Sequence, residues 1–531
     1  MVDNRQYLSP SVVAQPLVRR WYAWPHLLSP HTYALNIRGR QLEIMRSFLA
    51  SPELHASSSA DPAMFGGPFL NTAGADEKAV KELLESTVEE AAPLLRLADA
   101  MDHARRLLRE TPPGRSLSGL YGSLDPSLRG FVELVYDSAD HAQLRFFESL
   151  LYRSHLYDET AQSISIIEQP KLDQPFIFSS PVLSHPERLD IDLSFTSPEL
   201  DDFLSASWVA TDPRALVERL ELTGDNKSRF LGLFTDEMPR RCESPVSDVR
   251  LRYFGHACVL IESSDSAILI DPLIGYAGDG FDHFTIHDVP DGLDAVVLTH
   301  SHPDHVSIET LLRLRHRVRQ IIVPQDSSGN LVDPGIGHLL ERLGFPEVRR
   351  LHEMESIRIG KNGAVTALPF LGEHADLDIR SKMLPLVQVQ GRCFLFATDS
   401  VLLEPMIYEK VGDATPNVDA LFISVEPIGA SLSWLYGPLL DQRPSRQIDQ
   451  ERRINGSDAA GAARFARLVG ANSVYVYAMG LEPWFHHLLG TSFKPGSPQM
   501  REVQVLLETC RQRGTDAEML YSKAEVNFSA T

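Results

Sequence analysis

Four cysteines in 531 residues, none spaced C-x-x-C, leave this chain without a disulfide framework or a thiolate metal site. That scarcity fits a reducing compartment. Long apolar runs are missing as well: none approaches the roughly eighteen residues needed to cross a bilayer, and the opening MVDNRQYLSPSVVAQPLVRRWYAW lacks the continuous apolar segment of an export signal. The expectation is a cytoplasmic protein, neither exported nor membrane-inserted. Basic residues are outnumbered, 50 Lys and Arg against 71 Asp and Glu, and a formal charge of −21 repels a phosphate backbone. Nucleic acid is excluded as an expected partner. No repeat recurs along the chain, and its length exceeds one typical domain.

What is present changes character near the middle. Up to about Asp212 the apolar spacing of three and four predicts helices over Leu35–Leu49, Glu77–Leu108 and Ala142–Leu156, with two more short ones at Asp212–Leu220 and Asn226–Phe234. From Val249 the runs become short and β-rich, as in SAILIDP, DAVVLTH, RQIIVP, RCFLFATDS and ALFISVEP, with helical patterns between them. The fold class expected is α/β. A mostly helical (α+β) N-terminal domain over 1–245 precedes an α/β sandwich domain over 246–531.

The chemistry is concentrated in His300-Ser301-His302-Pro303-Asp304-His305, directly after the apolar run Ala295–Leu298. A strand ending there delivers three imidazoles and a carboxylate into one small volume. His300 and His302 can point the same way on extended backbone, and Pro303 can open a helix beginning with Asp304 and His305. Imidazole and carboxylate suit zinc, iron or manganese. Further acids stand at later strand ends: Asp399 after RCFLFAT, and Glu426 after ALFISV. Upstream of both, Leu371-Gly372-Glu373-His374-Ala375-Asp376 offers both Glu373 and His374, and adjacent side chains diverge, so one of the two is expected to face a metal.

The H-x-H-x-D-H string with Ile268-Leu269-Ile270-Asp271-Pro272 resembles the metallo-β-lactamase superfamily, whose αββα sandwich holds one or two metals at strand ends. Three more strings, Phe422–Pro427, Leu432–Leu439 and Tyr477–Trp484, with Trp21-Tyr22-Ala23-Trp24 and Phe65-Gly66-Gly67-Pro68, are similar to a branch of it: the diiron β-hydroxylases of antibiotic biosynthesis. That resemblance implies two iron ions, cycling between Fe2+ and Fe3+, with O2 as co-substrate. The substrate it implies is an aminoacyl thioester on a carrier domain of a nonribosomal peptide synthetase. His300, His302 and Glu373 would hold one iron, Asp304 and His305 the other, and Asp399 both; Glu373, Asp399 and Glu426 are the catalytic candidates. The last ligand stays open among Glu426, His486 and His487. His256 is expected to pack beside the cluster, and Asp271 to orient a ligating histidine through its free ring N–H.

An external electron donor is the second partner implied. The N-terminal domain would serve dimerisation, carrier docking or covering of the site. Arg443, Arg446, Arg452 and Arg453, beside Trp434–Leu440, either receive an acidic carrier domain or pair with Asp441, Asp449 and Glu451. The competing reading is a dinuclear zinc hydrolase with His374 in place of Glu373.

Overall fold

The computed structural model describes residues 5–62, 64–72, 76–168, 174–240, 248–278, 280–490 and 493–529. The expected division at 245/246 and Cys242 both fall in 241–247, outside the described residues. No helix among those described is long and apolar enough to cross a membrane.

The C-terminal half is two seven-stranded sheets packed face to face. In the first, the parallel strands Ala267–Ile270, Ala295–Val297 and Ile321–Pro324 are buried on both faces, which explains their unbroken apolar composition. In the second, Arg392–Thr398, Ala420–Ile423, Ser473–Val476 and Asp516–Met519 run parallel. Asp271, His300, Asp399 and Glu426 all follow the carboxyl ends of such strands, where an α/β sheet leaves its crevice.

The N-terminal half combines helices, among them Glu77–Glu90 and Ala92–Glu110, with a sheet ordered Trp21–Tyr22, Val12–Val18, Gln162–Glu168 and Leu189–Asp192. Helix expected over Ala142–Leu156 is corrected. Ala142–Phe146 is a strand paired with Val132–Tyr136, and only Glu148–Leu151 is helical. The Asp137 carboxylate, accepting from Ala139 N and His141 N at 2.8 Å each, closes a tight turn that turns the local pattern into a hairpin. Strands Val348–Leu351 and Ser356–Ile359 escape sequence detection because Arg349, Arg350 and Arg358 interrupt their apolar pattern at the open end of each sheet.

One continuous core runs from Trp21, Leu97 and Met101 to Leu260, Leu298 and Val323, so the N-terminal half is packed onto the outer face of the first sheet. Glu148 belongs to that junction: its Oε2 accepts from Gly335 N at 3.0 Å. Burial, with Asp326 and Asp333 nearby, pushes its carboxyl up to about 8 from an ordinary value of 4.5. Because the folded value is the higher one, the stability that Glu148 contributes is complete below the unfolded value and is lost as pH rises through about 8. Urea unfolding between about pH 5 and about pH 9 should show stability falling by on the order of a few kcal/mol, and Glu148→Gln should flatten that slope. An unchanged slope in the variant would assign the dependence elsewhere.

Candidate metal centre

The strand Ala295–Val297 leads through Thr299 into His300, which is wholly buried. His302 and His305 follow on a turn closed by His305 N to His302 O at 3.1 Å. The helix starts later than the sequence suggests. It spans Ile308–Leu314, because Ser307 is the residue whose side chain caps it, and Asp304 and His305 therefore sit on the turn before it. Asp271 accepts from Thr299 N at 2.8 Å, from Thr299 Oγ1 at 2.7 Å and from His305 Nδ1 at 2.8 Å. With Nδ1–H so engaged, His305 Nε2 is the nitrogen left to face Asp399, 3.0 Å away.

Glu373 Oε1 lies 2.5 Å from His302 Nδ1, and Oε2 lies 3.4 Å from His300 Nε2. Sequence reasoning expected Glu373 and His374 to diverge. Both are buried against His300 and His302, and the four form one ligand-type cluster. The cause is the backbone: Gly372, Glu373, Ala375 and Asp376 have φ of 81°, 67°, 50° and 58°, so the chain turns left-handed around the two side chains. Lys382 Nζ on Gly372 O at 3.2 Å, and Arg452 Nε and Nη2 on Ala375 O at 2.9 and 2.6 Å, hold that turn from outside.

Two more clusters join His256, Asp304 and His305, and His300, His305 and Asp399. His256, expected only to pack nearby, also lies within hydrogen-bonding distance of Asp304 Oδ2, at 3.1 Å from Nε2. Glu426 faces the same cavity without entering a cluster. Burial, then the charges of Asp399, Asp304 and Glu373, raise its pKa well above the carboxylate range. Burial likewise drives His300 and His374 far down, to the neutral imidazole that ligates metal.

These residues fit metal ions. His300 Nε2, His305 Nε2, His374 Nε2 and Glu373 Oε2 are buried and make no hydrogen bond, although they approach one another closely. Unpaired polar atoms in a dry interior are costly, and cations between them satisfy the lone pairs and offset the converging carboxylates.

Above the cluster lies a cavity of about 680 Å³. Its lining includes Phe65, Phe69 and Phe178 of the N-terminal half, with Trp434 and Leu488. His486 stacks on Phe65 at 4.1 Å, and His487 opens on a small separate recess beside Tyr22 and Glu309; neither joins the metal-type clusters. The expected pairing of the arginine run with Asp441, Asp449 and Glu451 needs correction. Arg452 and Arg453 are half-buried on Ala375 O and Gly429 O, and Arg443 pairs with Glu43. Asp441 is taken by Arg105 and Arg109, and Asp449 by Ser433. Pairing partners so distant in sequence carry no local signal.

A family model for the diiron non-heme beta-hydroxylase N-terminal domain matches residues 7–238, and one for a beta-lactamase superfamily domain matches 266–475. The chain is 36% identical to 4-amino-L-phenylalanyl-[CmlP-peptidyl-carrier-protein] 3-hydroxylase of Streptomyces venezuelae, over 97% of this chain and 98% of that one. It superposes on the crystal structure of CmlA, a diiron beta-hydroxylase from Streptomyces venezuelae, with a TM-score of 0.92 at 35% identity, covering 99% of each. A metal-dependent hydrolase of Mesorhizobium japonicum is 32% identical over 183 residues, but this covers only 31% of the chain. Likeness that runs through both halves favours the hydroxylase over the zinc hydrolase. With its two-domain layout and its buried histidine–carboxylate centre, the chain belongs to the diiron non-haem β-hydroxylase family.

Proposed function

We propose that this protein hydroxylates the β-carbon of an aminoacyl group held as a thioester on a peptidyl carrier domain of a nonribosomal peptide synthetase. The carrying observation is the buried floor of histidines and carboxylates beneath a cavity roofed by the N-terminal half. His300, His302 and Glu373 would hold one iron and Asp304 and His305 the other, with Asp399, grouped with both His300 and His305, available to both, and Glu426 beside them. Carboxylate-rich, hard donor sets favour iron in its higher oxidation states. When bound, the iron pair supplies activation of O2 for insertion into a C–H bond.

The chain's own residues prepare that step. Asp271 fixes the tautomer and direction of His305, and His256 braces Asp304. The aromatic roof excludes water, and the walls hold the β C–H toward the metal floor. The exposed side chains of Met64 and Ile428 line the cavity as well, so an apolar rim is available to a tethered substrate. Electrons come from a separate donor, and the cysteine usage supports a cytoplasmic setting.

The cavity also supports a side-chain class. Its carboxylate lining residues, Asp304, Glu373, Asp399 and Glu426, group with the metal centre, whereas much of the rest is apolar, Phe65, Phe69, Phe178, Trp434 and Leu488 among them. An apolar aromatic side chain buries area there at roughly 25 cal/mol per Å2, whereas a substrate carboxylate would lose its hydration against those apolar walls. Mass spectrometry of loaded carrier after incubation with reduced, iron-loaded protein and O2 tests both statements. Gain of one oxygen atom is expected on aromatic aminoacyl carriers and none on aspartyl or glutamyl ones. An unchanged or hydrolysed aromatic thioester would refute the hydroxylase reading.

A further inference from the structure

His302 has two ring nitrogens, and both are committed. Nδ1 faces Glu373 inside the metal cluster, while Nε2 lies 3.0 Å from the hydroxyl of Tyr436, itself 1% exposed. For Nδ1 to present its lone pair inward, the ring proton must stand on Nε2, where the Tyr436 oxygen accepts it. The phenol therefore selects the tautomer and fixes the ring plane of His302.

Tyr436 ends the helix Leu432–Tyr436, only five residues long and too short to hold its own geometry in isolation. Its position is set from elsewhere. Arg40, from the N-terminal half, reaches across 394 residues of sequence to donate to Trp434 O and, at 3.3 Å, to Leu435 O, two carbonyls at the helix end. Trp434 Nε1 donates to Gly66 O at 3.0 Å, and Arg105 donates to Leu439 O at 2.9 Å. Arg40 lies in the π-turn Ile37–Gln41, which widens the helical path between Pro30–Asn36 and Leu42–Ala50 and re-aims the side chains of that turn. Arg40 is half-buried, with its guanidinium on those carbonyls and 6.0 Å from the Trp24 ring, so it gives up part of its hydration for a specific geometry.

We propose that Tyr436 is a positioning residue for His302, and that the N-terminal domain, through Arg40, sets Tyr436 and thereby completes the metal centre of the other domain. The inference rests on His302 being an iron ligand. It gives the N-terminal domain a role beyond covering the cavity.

The test uses the full chain and ferrous ion alone as the probe, with affinity read by competition against a chromophoric chelator. Tyr436→Phe should weaken one of the two iron ions by roughly 10- to 100-fold and leave the other unchanged, with kcat falling and carrier KM constant. Arg40→Met should act in the same direction, and Arg40→Lys should recover part of the loss because it keeps the charge but not the fork. Should Tyr436→Phe not fold, as judged by circular dichroism, the Arg40 pair decides alone. His302→Ala should lose one iron outright. Wild-type affinity for both irons in Tyr436→Phe, with iron lost in His302→Ala, would overturn the positioning role and leave the ligand reading standing. Two irons retained in His302→Ala would overturn the ligand reading and this proposal with it.

Discussion

Asp399→Ala is expected to retain its fold and lose hydroxylation, by more than the roughly 100-fold that removing an outer partner of a metal ligand costs. Asp399 ends the strand Arg392–Thr398 and is the carboxylate grouped with both His300 and His305. Its loss therefore removes the donor proposed for both irons at once. The metal-free protein should melt no lower than wild type, because one of the three charged carboxylates that crowd together and keep Glu426 from ionising has gone. Iron content by elemental analysis and oxygen incorporation by mass spectrometry check the two halves of the statement. Two irons retained with normal turnover would remove Asp399 from the centre.

Phe396→Ala is expected to cost about 3–5 kcal/mol of stability, the usual penalty for truncating a buried aromatic. Phe396 is fully buried between the two sheets, stacked on Phe422 at 4.7 Å, which stacks in turn on Tyr475 at 5.2 Å. This ladder crosses three neighbouring parallel strands. Two of them end at Asp399 and Glu426, so the cavity left by Phe396→Ala lies under the metal floor. Urea unfolding measures the loss, with Phe147→Ala, at an exposed position, as a control within about 0.5 kcal/mol of wild type. A Phe396→Ala loss below about 1 kcal/mol would show that the site relaxes to fill the gap.

Much of the site was legible because its chemistry is local. The H-x-H-x-D-H string packs four ligand-type side chains into six residues after an apolar run, and the family resemblance pointed to Asp271, Asp399 and Glu426 at strand ends. Local pattern failed where conformation departs from regular helix or strand. Glu373 and His374 share a face only because four of five consecutive residues turn left-handed, which periodicity does not register. The hairpin at Ala142–Phe146 was hidden by a spacing that helix and strand both tolerate in so short a segment.

The sequence by itself determined the kind of chemistry: imidazoles and carboxylates, no thiolates, at the carboxyl ends of strands in an α/β sandwich. Side-chain type and strand-end placement are properties of short segments, and short segments are what sequence records. Only the tertiary structure decided which nitrogen of His302 faces the centre, which residues roof the cavity, and that Arg40 and Tyr436 stand behind a ligand more than one hundred residues away from either. Those contacts are made by burial across sheets and domains, where free energy depends on what packs together in space and not on what is adjacent along the chain.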